Sequence, residues 1–184
     1  MAVDGPDAAE PVVLARAVAD RLPARGRPAG LVEASAFFRP ASLRFEHGRT
    51  DPDARYTDWL DAAALTREVL DPLGPGGSGE YLPGLWDLAR DRATRLPRSP
   101  MPAGGVLVVA GALLQGLGLA FDVVVHLRLT PAARTRRTPD ADAWQLPAFD
   151  RYDAEVDPAT LADAVVLADS PDHPALVLQH RLVG

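Results

Sequence analysis

The stretch Ala2–Val18, AVDGPDAAEPVVLARAV, decides how this chain is read. Met1–Asp4 predicts a short first strand, Gly5-Pro6 a turn, and Glu10–Leu22 a helix, with apolar residues at helical spacing and Pro11 tolerated in the first turn. Strand, loop and helix in that order frame a phosphate-binding loop, G-x-x-x-x-G-K-[ST]. There, backbone N–H groups wrap the phosphates, Lys neutralises them and the hydroxyl holds Mg²⁺. Matched from Gly5, the last three places hold Glu10, Pro11 and Val12. The frame is present, and the phosphate-binding side chains are absent.

Composition limits what can replace them. Every one of the 19 basic residues is Arg, and Lys, Asn, Ile and Cys do not occur. A GC-rich genome accounts for that usage, but the chemistry follows regardless: any anion must be held by Arg, backbone N–H groups or a bound metal. Without Cys there are no disulfides or thiolate sites, and no metal-ligand spacing surrounds His173 or His180, so neither metal nor cofactor is expected. A net charge of −6 argues against nucleic acid and anionic membrane as partners. No apolar run reaches membrane length and no basic-then-apolar leader opens the chain, so a cytoplasmic protein is expected. At 184 residues and 47% apolar, residues 1–184 read as a single domain.

Downstream, GLVEA (30–34) predicts a second strand. Asp58–Leu70 predicts a helix with Leu60, Ala64, Leu65 and Val69 near one face, ended by the turn-rich DPLGPGGSG. EYLPGLWD (80–87) is a small extended element. GGVLVVAG (104–111) and FDVVVHLRL (121–129) are the strongest strands, with the nearly continuous Val and Leu of parallel strands buried on both faces. TPAARTRRTPDADAW (130–144) reads as an Arg-bearing helix and loop and LPAFDRYDAEV (146–156) as a helix. ADAVVLAD (162–169) and ALVLQHRLV (175–183) read as two more strands. Alternating strands and helices give an α/β fold, a mainly parallel sheet flanked by helices, with a ligand cleft at the carboxyl ends of the strands.

With these elements placed, the chain resembles the uridine kinase-like P-loop nucleoside kinases of actinobacterial type over almost its whole length. The resemblance rests on AVDGPDAA, FFRPASLRFEHGRTDPDARYTDWLD, VLDPLGPGGSGEYLPGLWD, GVLVVAGALL and FDVVVHLRLTPAARTRRT. It implies a P-loop NTPase fold with a degenerate Walker A loop. The family's acidic residue before its aromatic pair, the base for the accepting hydroxyl, matches Ser35 here. Its acidic residue after the central strand matches Ala110. Phosphoryl transfer depends on positioning and charge stabilisation, and the lost residues supply most of both.

The resemblance also implies that the acceptor side encloses a small molecule. Substrate-binding candidates are Arg39, Arg44, Tyr56, Asp58, Trp59, Tyr81 and Trp86, and the acid/base candidates are Glu46, His47 and Asp87. Arg134, Arg136 and Arg137 form a lid-like cluster that in the family would approach phosphate. His126, inside an apolar strand, reads as a structural histidine, and Asp4 as a structural residue of the loop. The expected function is a kinase-derived protein that does not transfer phosphate from ATP. It would bind and convert a small organic metabolite in bacterial specialised metabolism by cyclase, isomerase or dehydratase chemistry. A non-catalytic regulatory or binding partner, a residual nucleoside kinase with Arg-based phosphate binding, and a homodimer stay open.

Overall fold

Runs of small and β-branched residues build the centre of the molecule, and the computed structural model describes residues 1–170 and 172–179. Five parallel strands, β1 (Ala2–Asp4), β2 (Ala29–Glu33), β3 (Val106–Gly111), β4 (Val124–Arg128) and β5 (Ala164–Leu167), are joined by an antiparallel edge strand, β6 (Ala175–Leu178), in the order β6-β5-β4-β1-β3-β2. All three residues of β1 are fully buried. Val3 stands beside Ala110 of β3, and Asp4 beside His126 of β4.

Continuous apolar runs mark β3 and β4 because both faces of the sheet are covered. Val108 and Ala110 pack with Val3, Leu127 and the helix α1 (Pro11–Arg21), whose Ala15 is fully buried. On the opposite face, Leu107 and Val109 pack with Ala2, Val32, Phe37, Leu65 and Val69. Three further helices, α2 (Pro52–Thr57), α3 (Pro131–Arg137) and α4 (Leu146–Glu155), gather beyond the carboxyl ends of the strands, with α2 lying against α4.

The helix expected over Asp58–Leu70 begins later and bends. Asp61 caps it by accepting from the Ala64 N–H at 2.8 Å, while Leu60 is held in a bridge with Phe38. The helix runs over Ala62–Leu65, widens at Thr66–Leu70 and ends at Asp71–Leu73, where Pro72 supplies no N–H. The last expected strand is present over Ala175–Leu178, and its continuation from His180 onward lies outside the described residues. Among the described residues no helix is long and apolar enough to cross a membrane.

Candidate ligand cavity

Beneath the first loop lies a knot of buried polar groups. Asp4 Oδ1 accepts from the Leu114 N–H at 3.0 Å. Its Oδ2 accepts from Gln115 Nε2 at 3.0 Å and from the Tyr152 hydroxyl at 2.9 Å, and lies 2.8 Å from His126 Nδ1. The Tyr152 oxygen in turn accepts from the Gln115 N–H at 2.9 Å. Burial first, and the Asp4 charge second, push the Tyr152 phenol far above its ordinary pKa, so it stays a donor. Buried polar groups are tolerated when bonded in this way. Gln115 Oε1 alone is a buried side-chain atom without a hydrogen-bond partner among the described residues.

Above the knot the first loop runs from β1 to α1, and three of its N–H groups are engaged. The Ala9 N–H donates to Pro6 O at 2.7 Å, the Glu10 N–H to Asp7 O at 3.0 Å and the Gly5 N–H to Gly111 O at 3.2 Å. Pro6 and Pro11 have no N–H to offer. Gly5 is required by packing alone, since a Cβ there would stand 2.8 Å from Leu127 O and 2.9 Å from Leu127 Cβ. Glu10, where the motif has its second Gly, adopts the left-handed conformation at φ 58° and ψ 52°, which costs a residue with a Cβ about 1–2 kcal/mol.

The cations nearby are met by the loop's own carboxylates. Asp7 Oδ2 accepts from Arg55 Nη2 at 3.1 Å, and Glu10 Oε2 lies 4.0 Å from Arg137 Nη2. Arg55 projects from α2 and is 3% exposed. Its Nε donates to Gln145 Oε1 at 2.9 Å, and its guanidinium carbon lies 5.1 Å from the ring centre of Trp59, 5.4 Å from that of Phe38 and 5.7 Å from that of Phe149. Such stacking fixes a guanidinium and favours its charge.

These groups border a cavity of about 680 Å³ at the carboxyl ends of the parallel strands, where ligands of open α/β sheets bind. Its floor is small and mostly apolar: Ala34 and Ser35 after β2, and Ala110, Gly111 and Ala112 at the end of β3. Phe38, Trp59 and Phe149 form a wall, while Asp7, Glu10, Arg137, Asp142 and Gln145 supply charge and hydrogen bonds. Among the described residues no group of His, Cys, Asp and Glu is placed to hold a metal ion.

Of the acceptor-side residues chosen from the sequence, Trp59 lines this cavity. Arg44 also packs on this ring, 5.1 Å from its centre, and donates through Nε to Arg39 O at 2.7 Å; the Arg39 N–H donates to Trp59 O at 2.8 Å. Trp86 joins this group through Asp91, whose Oδ1 accepts from the Trp86 indole at 2.9 Å and from the Ala41 N–H at 2.8 Å. Those two donors hold the Asp91 carboxyl below its usual range, the indole first. The sequence reading did not single out Asp91, although it joins the two acceptor-side segments.

The remaining candidates lie apart. Glu46 and His47 are exposed on the turn after Arg44, and Asp58 is half-buried at the end of α2. Asp87 borders a separate cavity of about 540 Å³ with Arg90 and Arg92, and accepts from the Ala89 and Arg90 N–H groups. Tyr81 is packed in the core, and Tyr56 donates to Glu155 Oε2 at 3.2 Å on the α2–α4 face. Arg134 is buried and paired with Asp150 and Asp153, whereas Arg137 reaches the cavity. The sequence reading missed Arg55, Asp7, Asp142 and Gln145. One local signal existed: Arg55 and Trp59 stand four residues apart at a helix end, a spacing that brings side chains together.

No family model and no curated protein matches the sequence. Solved structures do match. The chain aligns with a protein described as a possible uridine kinase from Bacillus stearothermophilus at a TM-score of 0.71 and 18% identity, covering 89% of this chain and 85% of that one. The fold is the P-loop kinase fold. A protein described as a fructose transport system kinase from Silicibacter sp. TM1040 aligns at a TM-score of 0.62 and 19% identity, covering 84% of each chain. At such identity the likeness carries the kinase fold alone, and the chemistry has to be argued from the site.

Proposed function

We propose that this chain is a kinase-fold protein that does not transfer phosphate from ATP and instead binds and converts a small organic molecule in the cavity at the carboxyl ends of its strands. One observation carries the reading: the loop that should wrap phosphate places its own Asp7 and Glu10 carboxylates toward Arg55 and Arg137. A polyphosphate entering there would meet two like charges and no Lys, with the Gly5, Ala9 and Glu10 N–H groups already bonded to carbonyls. Ser35 and Ala110 leave the floor without the carboxylates that would hold metal or accept the hydroxyl proton.

What remains suits proton movement on a bound organic molecule. Aromatic walls give contact area, while Asp7, Glu10 and Asp142 stand at the cavity border as proton acceptors, within the range of cyclase, isomerase or dehydratase chemistry. Trp59, backed by Arg44, is the part of the acceptor-side set that takes part directly. Glu46 and His47 join the site only if the turn that carries them folds inward. Calorimetry with Mg·ATP, and assays for phosphorylation of uridine and cytidine, are expected to show neither binding nor product. Micromolar Mg·ATP affinity would overturn the reading.

A second reading, a non-catalytic partner of another protein chain, is favoured by the edge strand β6, where Leu176 and Leu178 are 63% and 65% exposed. Turnover of a metabolite by the isolated chain separates the two.

A further inference from the structure

Resting on the cavity reading above, we propose that the ligand is a flat, unsaturated organic monocarboxylate. Its carboxylate displaces Asp7 from Arg55, and its ring lies along the aromatic wall.

The two partners of the Arg55–Asp7 pair are held very differently. Arg55 is buried, with Gln145 on its Nε and three rings around its guanidinium. The Asp7 side chain is 61% exposed, so its bond to Arg55 contributes little and breaks readily. A buried guanidinium nevertheless needs an anion beside it. The pair is therefore a fixed cation with an exchangeable counter-charge. Asp7 reaches Nη2 alone, and Nη1 makes no hydrogen bond to a described residue. A ligand carboxylate can take Nη1 and Nη2 together, the two-pronged geometry in which Arg binds carboxylates best.

Charge selects a monoanion. Glu10 and Asp142 border the same cavity, with Arg137 as its second cation, and the two carboxylates repel a dianion more strongly than a monoanion. A single carboxylate that replaces Asp7 leaves the charge around Arg55 as it was. The apolar floor offers Ser35 as its one hydroxyl, Thr138 Oγ1 and Gln145 Oε1 at the border are bonded to Arg134 O and Arg55 Nε, and the three rings Trp59, Phe38 and Phe149 suit a planar ligand. Asp7 thus occupies the place of the ligand's carboxylate beside Arg55 and competes with it.

Benzoate is the simplest probe of this arrangement, with benzamide as its uncharged counterpart and inorganic phosphate as the competing anion. Each is titrated calorimetrically into the full chain and into Asp7→Asn, which keeps an acceptor oxygen on an exposed side chain and removes its charge. Benzoate should bind Asp7→Asn roughly two- to fivefold more tightly than the unaltered chain, ahead of both benzamide and phosphate. It should also raise the melting temperature of that variant by the larger amount. Arg55→Gln should abolish binding; if that variant does not fold, the Asp7→Asn comparison alone decides. Equal benzoate affinity in the two chains, no benzoate binding to Asp7→Asn, or benzamide or phosphate binding as tightly as benzoate overturns the inference. A parallel Mg·ATP titration keeps the failures apart: ATP binding defeats the functional reading, whereas failure with benzoate and no ATP binding defeats the carboxylate alone.

Discussion

Asp4 and Glu10 stand six residues apart in one strand-loop-helix unit and have opposite characters. Asp4 is fully buried and contacts Leu114, Gln115, His126 and Tyr152. The Glu10 side chain is 67% exposed and faces one distant cation. The backbone between them is held from below, by the knot and by the close approach of Gly5 to Leu127. The loop therefore keeps its course from β1 to the left-handed residue before α1, with Glu10, Pro11 and Val12 where the motif has Gly, Lys and a hydroxyl. The course of the loop backbone and the chemistry of its side chains depend on different residues.

The comparison breaks most visibly at Asp4. Asp4→Ala leaves several buried donors without an acceptor and should cost about 3–5 kcal/mol, read as a fall in the urea midpoint. A loss below about 1 kcal/mol would mean that the knot does not hold the loop.

Tyr152 tests the same knot through pH. Its phenol is raised above the unfolded value by burial and by Asp4. Below about pH 10 both states keep the proton, and above it the unfolded chain alone releases it. Stability should then fall by about 1.4 kcal/mol per pH unit through this group. Tyr152→Phe should remove that part of the alkaline slope in denaturation curves measured between pH 9 and about pH 11; an unchanged slope would count against the buried phenol.

The smallest effect belongs to the loop's surface. Glu10→Gly removes the Cβ from a left-handed residue and should stabilise the chain by about 1 kcal/mol, while Mg·ATP binding stays undetectable by calorimetry. Detectable ATP affinity from this change alone would show that the Glu10 charge, and not the whole loop, keeps nucleotide out.

Much of this was legible in the chain as written. The apolar runs at Val106–Gly111 and Val124–Arg128 specified parallel strands covered on both faces, and Ala2–Val18 specified strand, loop and helix, because periodicity and turn residues act over a few neighbours. That Pro11, Val12, Ser35 and Ala110 carry no ammonium and no carboxylate was equally plain, since an absent side chain is absent in any fold. The partners of Arg55 could not be read. Asp7 and Gln145 lie 48 and 90 residues away, and in sequence Arg55 looks like any arginine on a short polar helix. Glu46 and His47 are adjacent in sequence, yet both stand in solvent, while Asp87 faces another cavity. Which charges meet, and which arginine is stripped of water between three rings, depends on how α2, α4 and the first loop pack over the strand ends, and that packing is a property of the whole chain.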